Sequence, residues 1–207
     1  MKRGRFISIE GIEGVGKSTQ MALVIDLLQQ RGIEVVQTRE PGGTALAEQI
    51  RGLLLVHGEE TVRPITELLL MFAARAQNVA NVIEPALESG KWVVCDRFSD
   101  ASRAYQGGGR GLPSQVIEAL AVQVHPGLEP DLTLLLDAPV DIGKQRAGER
   151  GESDRIETEQ REFFQRVRAR YLELAGQNPD RFVIVDASQS LSDVAAQVTA
   201  ALAPLLK

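Results

Sequence analysis

Gly11-Ile12-Glu13-Gly14-Val15-Gly16-Lys17-Ser18 fills the pattern GxxxxGK[ST], and its residue types suit one chemical task. The glycines permit a loop whose backbone N–H groups point inward at phosphate oxygens. A helix starting behind the loop adds partial positive charge there. Lys17 has the reach for β- and γ-phosphates, and the Ser18 hydroxyl suits a magnesium ion. The expected phosphate-binding set is Gly11, Ile12, Glu13, Gly14, Val15, Gly16, Lys17, Ser18 and Thr19. Motors, switches and metabolic kinases all carry such a loop, so the motif implies a bound nucleotide without choosing a reaction.

Further along, Val93-Val94-Cys95-Asp96-Arg97 ends an apolar run on a carboxylate and a guanidinium. Ligands collect at the carboxyl ends of strands in open α/β sheets. Asp96 can therefore hold magnesium, directly or through water, and Arg97 can contact a transferring or accepting phosphate. A plain salt bridge at the strand end is the alternative. Leu135-Leu136-Asp137-Ala138-Pro139 ends similarly, but Asp137 is read as organising the following turn and helix rather than as catalytic. In Thr38-Arg39-Glu40-Pro41-Gly42-Gly43-Thr44, proline and two glycines let the chain turn sharply before a helix. Phe72 and Arg75, three residues apart, are neighbours on a helix face. Together they can stack a base and hold a phosphate, or they are a core phenylalanine beside an exposed arginine. His57 and His125, the only histidines, have no companions suggesting a triad or a zinc site.

These residues need a scaffold, and the apolar pattern supplies one. Five short runs, Phe6–Glu10, residues 33–37, Trp92–Asp96, Leu132–Asp137 and Phe182–Asp186, are rich in β-branched residues and leucine, as strands covered on both faces are. Helical spacing occupies residues 20–31, 63–89, 114–124, 157–175 and 191–206, with Gly32 a candidate cap for the first helix. Strands alternating with helices predict an α/β fold: a single domain over residues 1–207, with a five-stranded parallel sheet flanked by helices. Residues 104–111, Ala-Tyr-Gln-Gly-Gly-Gly-Arg-Gly, are too rich in glycine for a helix interior and read as an ordered substrate loop or turn. Residues 145–155, with Arg146, Arg150 and Arg155 among glycines, read as a charged, mobile segment between helices.

Composition narrows the partners. A formal net charge of −5 with mixed signs argues against a general nucleic-acid binder. No apolar stretch approaches the ~20 residues a membrane span needs. Cys95 is the only cysteine, sits in an apolar run and reads as a small core residue; the expectation is a soluble, cytoplasmic protein.

Taken in order, the cradle from Phe6 to Thr19, the Thr38–Thr44 turn, Asp96-Arg97-Phe98, residues 104–111 and Asp154-Arg155-Ile156-Glu157 closely resemble bacterial thymidylate kinases over nearly the whole chain. The resemblance implies the P-loop NTPase fold and transfer of the γ-phosphoryl of MgATP to dTMP, giving dTDP and ADP. It implies Phe72 stacked on thymine with Arg75 as its partner. Ser102 and Gln106 would line the base pocket, with Tyr105 beside the deoxyribose and Glu13 near the 3′-hydroxyl. Arg97 and Arg51 would lie at the acceptor phosphate, and Glu40 within the acceptor site. Catalytic charge falls to Lys17, Arg97 and a lid arginine, Arg150 being preferred over Arg146 and Arg155 in a lid near 145–156. Gly14 stands where other members of the family carry a P-loop arginine. A homodimer packed through helices is also implied. The competing readings are a related nucleoside or nucleotide kinase, a P-loop ATPase or switch, and a nonenzymatic nucleotide-binding scaffold.

Overall fold

β-Branched and leucine side chains on both faces of the three inner strands leave little room for a solvated sheet surface, and helices cover both sides. The computed structural model describes residues 3–58, 60–148 and 154–206. In chain order these form β1 (Phe6–Glu10), α1 (Lys17–Gln29), β2 (Val35–Arg39), α2 (Ala45–Leu55), α3 (Pro64–Asn78), α4 (Glu84–Glu88), β3 (Trp92–Asp96), α5 (Ser99–Ser102), α6 (Ser114–Val124), β4 (Leu132–Asp137), α7 (Val140–Gly148), α8 (Arg161–Gln177), β5 (Phe182–Asp186) and α9 (Leu191–Leu202). Wide π-type turns, Val79–Ile83 and Arg103–Gly109, join α3 to α4 and extend α5.

The strands make one parallel sheet in the order β2-β3-β1-β4-β5. Parallel pairing sends every carboxyl end to the same edge. The register sets Asp96 level with Ile9 on one side and with Arg39 on the other. β1 is central, and the order reverses beside it, which is where ligands enter such sheets. The main core joins Ile7, Ile9, Val94 and Leu134 of the sheet to Val24 and Leu28 of α1, Val167 of α8 and Val198 of α9. Arg168 of α8 donates from Nε and Nη2 to Asp137 at 2.7 and 2.8 Å, tying that helix to the end of β4. The carboxylate is thus paired with α8 rather than with the turn and helix that directly follow β4.

Three expectations change. The second strand starts at Val35, because Gly32, at a φ of 71°, and the two residues after it form the connection. Ile33 packs on the core from that connection. Residues 103–109 are helical rather than a loop. Their glycines are close-packing positions against α8: a Cβ on Gly108 would lie 2.6 Å from Arg170 Cβ, and one on Gly109 would lie 2.5 Å from Phe163 Cε2. Packing against a neighbouring helix outweighs glycine's weak helix propensity there. Residues 145–148 belong to α7, so the charged segment begins as ordered helix.

Candidate active site

A cavity of about 400 Å³ opens at the carboxyl edge of the sheet. Its donor wall is the loop between β1 and α1. Gly14, Gly16, Lys17, Ser18 and Thr19 line it, while the side chains of Ile12 and Val15 turn into the core. Those two residues, together with Gly11, can meet a ligand only through their backbones. Gly14 has a φ of 73°, and a Cβ there would lie 2.0 Å from the carbonyl oxygen of Gly143 in α7. An arginine cannot occupy that position on this backbone, so positive charge for the donor has to come from elsewhere. Lys17 Nζ donates to the carbonyls of Gly11 and Ile12 at 3.2 and 3.0 Å. Desolvation and the repulsion of Arg97 lower its pKa to about 8, against the pull of Asp96, Glu13 and Glu10. An arriving polyphosphate reverses that balance and favours the ammonium. Arg146 of α7 also lines the cavity, with Nη1 held by the Ala187 carbonyl at 2.8 Å.

Asp96 stands between the two walls. Its Oδ1 is buried without a hydrogen-bond partner, and the residue lines the cavity with Ser18. An unpartnered carboxylate oxygen in a cavity that a hydroxyl also lines suits a hard cation that takes its remaining ligands from water and phosphate. Among the described residues no group of three or more His, Cys, Asp or Glu side chains could hold a metal by itself.

The acceptor wall is built from distant segments. Arg97, immediately after β3, holds a φ of 70°, a conformation that a side chain with a Cβ resists. Its Nη2 donates to Glu13 Oε1 at 2.8 Å and to the Tyr105 hydroxyl at 2.9 Å. The Tyr105 hydroxyl donates in turn to Glu13 at 2.7 Å. The Arg97 guanidinium lies 4.7 Å from the centre of the Tyr105 ring. Cys95, fully buried behind them, donates to the Arg97 carbonyl at 2.9 Å; burial pushes its thiol pKa up, so it is no nucleophile. Arg51 of α2 donates to the Pro41 carbonyl at 3.0 Å, past the cis peptide between Glu40 and Pro41. Burial and the repulsion of Arg39 lower the Arg51 pKa, marking a cation that an anion would stabilise.

Arg75 is buried rather than exposed, which removes the plain alternative for the pair with Phe72. Its Nε donates to Glu40 Oε2 at 2.6 Å and its Nη2 to Ser102 Oγ at 3.0 Å and the Phe98 carbonyl at 3.2 Å. Its Nη1 is buried with no partner, although Arg75 lines the cavity. A buried donor left unpaired costs about 1–3 kcal/mol, which a carbonyl in the cavity would recover. Burial raises the Glu40 pKa, and Arg75 opposes that shift. Glu40 thus supports Arg75 from behind as well as lining the cavity. Phe72 lies under the Arg75 guanidinium, 4.5 Å from ring centre to carbon. It packs with Leu68, Ile117 and Ala121, and the α3 side chains lining the cavity are those of Met71 and Arg75. His125 stacks parallel to Phe72 at 6.4 Å and bonds Ser99 Oγ at 2.7 Å, a supporting role.

Sequence reading missed Glu67. This buried carboxylate accepts Gln106 Nε2 at 2.9 Å, Arg110 Nη2 at 3.1 Å and Arg155 Nη2 at 2.7 Å. Burial pushes its pKa up, but those donors prevail and hold it below the usual range. A signal was available, because Glu67, Met71 and Arg75 repeat every four residues along one helix face. Arg155 also donates to the Leu54 carbonyl at 2.9 Å, so it fastens its segment to α2 and α3 and does not line the cavity. Arg150, preferred on sequence, lies outside the described residues.

A central parallel sheet, a phosphate cradle after its first strand and a second polar cleft sharing one cavity define a P-loop phosphotransferase. The description thymidylate kinase belongs to the family model that matches residues 9–198, and the chain is a member of that family. It is 57% identical over 204 residues to the thymidylate kinase of Chromohalobacter salexigens, covering 98% of this chain and 96% of the relative. Identity to the Methylococcus capsulatus thymidylate kinase is 52% over 206 residues, covering 100% and 98%. The crystal structure of thymidylate kinase from Ehrlichia chaffeensis superposes with a TM-score of 0.77 at 33% identity, covering 97% of this chain and 99% of that one.

Proposed function

We propose that the chain transfers the γ-phosphoryl group of ATP directly to dTMP, giving ADP and dTDP. The observation that carries this reading is the single cavity whose walls are the P-loop on one side and the Arg51, Arg75, Arg97 and Tyr105 cleft on the other. A phosphate monoester has a second pKa near ~6, so the dTMP phosphate needs no strong general base to attack γ-phosphorus in line. Lys17 and Arg97 balance the charge that develops, with Arg146 or Arg150 adding a lid cation. Ser18 and Asp96 are suited to hold magnesium, which neutralises the donor phosphates when bound. On the acceptor side, Arg75 Nη1 offers a donor to a base carbonyl while Ser102 and Gln106 border the same space. Tyr105 and Glu13 flank the sugar, and the bulk of Tyr105 opposes a ribose hydroxyl.

The chain is proposed to act as one kinase domain with a lid over 145–156, in the cytoplasm. An unpaired, buried Cys95 suits a reducing compartment, and among the described residues no helix is long and apolar enough to cross a membrane. A homodimer is supported by exposed Leu46 and Leu53 on α2 beside exposed Ile65 and Leu69 on α3.

The decisive assay supplies Mg²⁺ and ATP with a panel of nucleoside monophosphates and thymidine, resolving each diphosphate. dTDP as the main product is expected. Phosphorylation of thymidine alone, or ATP hydrolysis indifferent to every acceptor, would overturn the reading.

A further inference from the structure

Behind Arg97 stands a carboxylate to which the transfer chemistry gives no direct part. Glu10, the last residue of β1, is fully buried. Its Oε1 accepts the backbone N–H of Phe98 at 2.7 Å, and its Oε2 accepts the Tyr171 hydroxyl at 2.7 Å. Both contacts lead to Arg97. The Phe98 N–H belongs to the peptide that follows Arg97, the residue with a φ of 70°. Conformations of this kind persist where their surroundings over-determine them. The N–H of Arg97 itself donates to the Ile9 carbonyl at 3.1 Å. Adjacent residues of β1 therefore grip the peptides on both sides of the strained position. The second contact reaches the side chain: the Tyr171 hydroxyl, having donated to Glu10, accepts from Arg97 Nη1 at 3.2 Å. This leaves Nη2 to Glu13 and Tyr105 at the cavity wall. Burial and the charge of Asp100 push the Glu10 pKa up to about 8, while Arg97, the Tyr171 hydroxyl and the Phe98 N–H pull it down. The Phe98 N–H and the Tyr171 hydroxyl bond its anionic form, which predominates above that pH.

We propose that Glu10 is a positioning residue for phosphoryl transfer, holding the backbone turn and the guanidinium of Arg97 in place through the Phe98 N–H and the Tyr171 hydroxyl. The inference rests on the reading of Arg97 as a contact to the acceptor phosphate. Glutamine in the same space can still accept from Phe98. Its amide would donate to Tyr171, however, leaving the phenolic proton without its acceptor and loosening the hold on Nη1.

The test compares Glu10→Gln in the wild-type and Arg97→Ala backgrounds, with kinetics in both substrates, dTMP titration and thermal melts. In the wild-type background kcat/KM for dTMP is expected to fall on the order of 10- to 100-fold, as misplacement of a reacting geometry does. KM for ATP should hardly move. In the Arg97→Ala background the same change should alter dTMP kinetics by less than about twofold, because the group being positioned is gone. Losses that multiply across the two backgrounds would overturn the proposal, as would wild-type dTMP kinetics in Glu10→Gln. If Glu10→Gln does not fold, Tyr171→Phe cuts the same link while keeping the ring. A several-fold loss that vanishes with Arg97→Ala supports the proposal, and unchanged dTMP kinetics overturns it. Arg97→Ala with normal dTMP kinetics removes the phosphate reading itself. A crippled Arg97→Ala on which Glu10→Gln multiplies removes only the positioning.

Discussion

The two walls of the cavity are assembled in opposite ways. The donor wall is one continuous stretch, residues 11–19, whose backbone does most of the work. It meets the rest of the chain through Ile12 and Val15 in the core, Glu13 against Arg97 and Tyr105, and the close approach of Gly14 to Gly143. The acceptor wall takes Glu40 from the turn after β2, Arg51 from α2, Arg75 from α3, Arg97 from the end of β3 and Gln106 from the wide turn after α5. A phosphate is a symmetric anion that a loop of N–H groups and a helix terminus can satisfy. A base presents a fixed pattern of donors and acceptors, so its site needs buried polar groups with settled orientations, and these must be held by other buried groups.

That contrast predicts which changes damage chemistry and which damage the fold. Lys17→Ala should cut turnover on the order of 10³–10⁵-fold, the range one cation at the transferring phosphoryl supplies. Circular dichroism and melting should stay near wild type, because the Lys17 Nζ bonds only loop carbonyls. Turnover near wild type at saturating substrates would break the comparison. On the other wall Glu40→Ala strands the Arg75 guanidinium, now an unpaired buried charge. A loss of about 3–5 kcal/mol in urea unfolding is expected, and a change below about 1 kcal/mol, the scale of a surface ion pair, would mean that the pair is surface-like.

The pH dependence of stability sharpens the same point. Burial and the repulsion of Arg75 lower the His125 pKa to about 4. An unfolded histidine titrates near ~6.5, so the unfolded chain binds the extra proton first as pH falls. The stability contributed by neutral His125 is complete above ~6.5 and is lost toward pH 4, about 3 kcal/mol in all. His125→Gln should flatten that interval in unfolding measured against pH. The smallest expected effect belongs to Phe72→Leu, which keeps most of the buried volume and removes the aromatic plane. Calorimetry should show dTMP binding weakened by about 1 kcal/mol with ATP binding unchanged. Equal weakening of both ligands would assign Phe72 to packing alone.

The residues differ in how legible they were, for the same physical reason. The cradle, the five strands and Asp96-Arg97 could be read because each is a local pattern: glycine spacing, β-branched runs, a charged strand end. Resemblance supplied Ser102, Tyr105 and Gln106, which no spacing rule marks. Glu67, Glu10 and Tyr171 stayed hidden. Glu10 reads as the end of a strand and Tyr171 as one apolar position of α8, and they meet across 161 residues. Residues 103–109 misled because glycine propensity is a local quantity, while their helix is decided by how closely α8 approaches.

What the amino-acid order determined alone is the sheet, the phosphate loop and the membership of the chain in its family, since these follow from short-range periodicity and contiguous motifs. Tertiary structure alone decided that Arg75 and Glu40 form a buried pair, that Arg155 fastens α2 and α3 instead of lining the cavity, and that Arg97 is held in a left-handed conformation. Those outcomes depend on which polar groups lose water together, and that is settled only when distant segments pack.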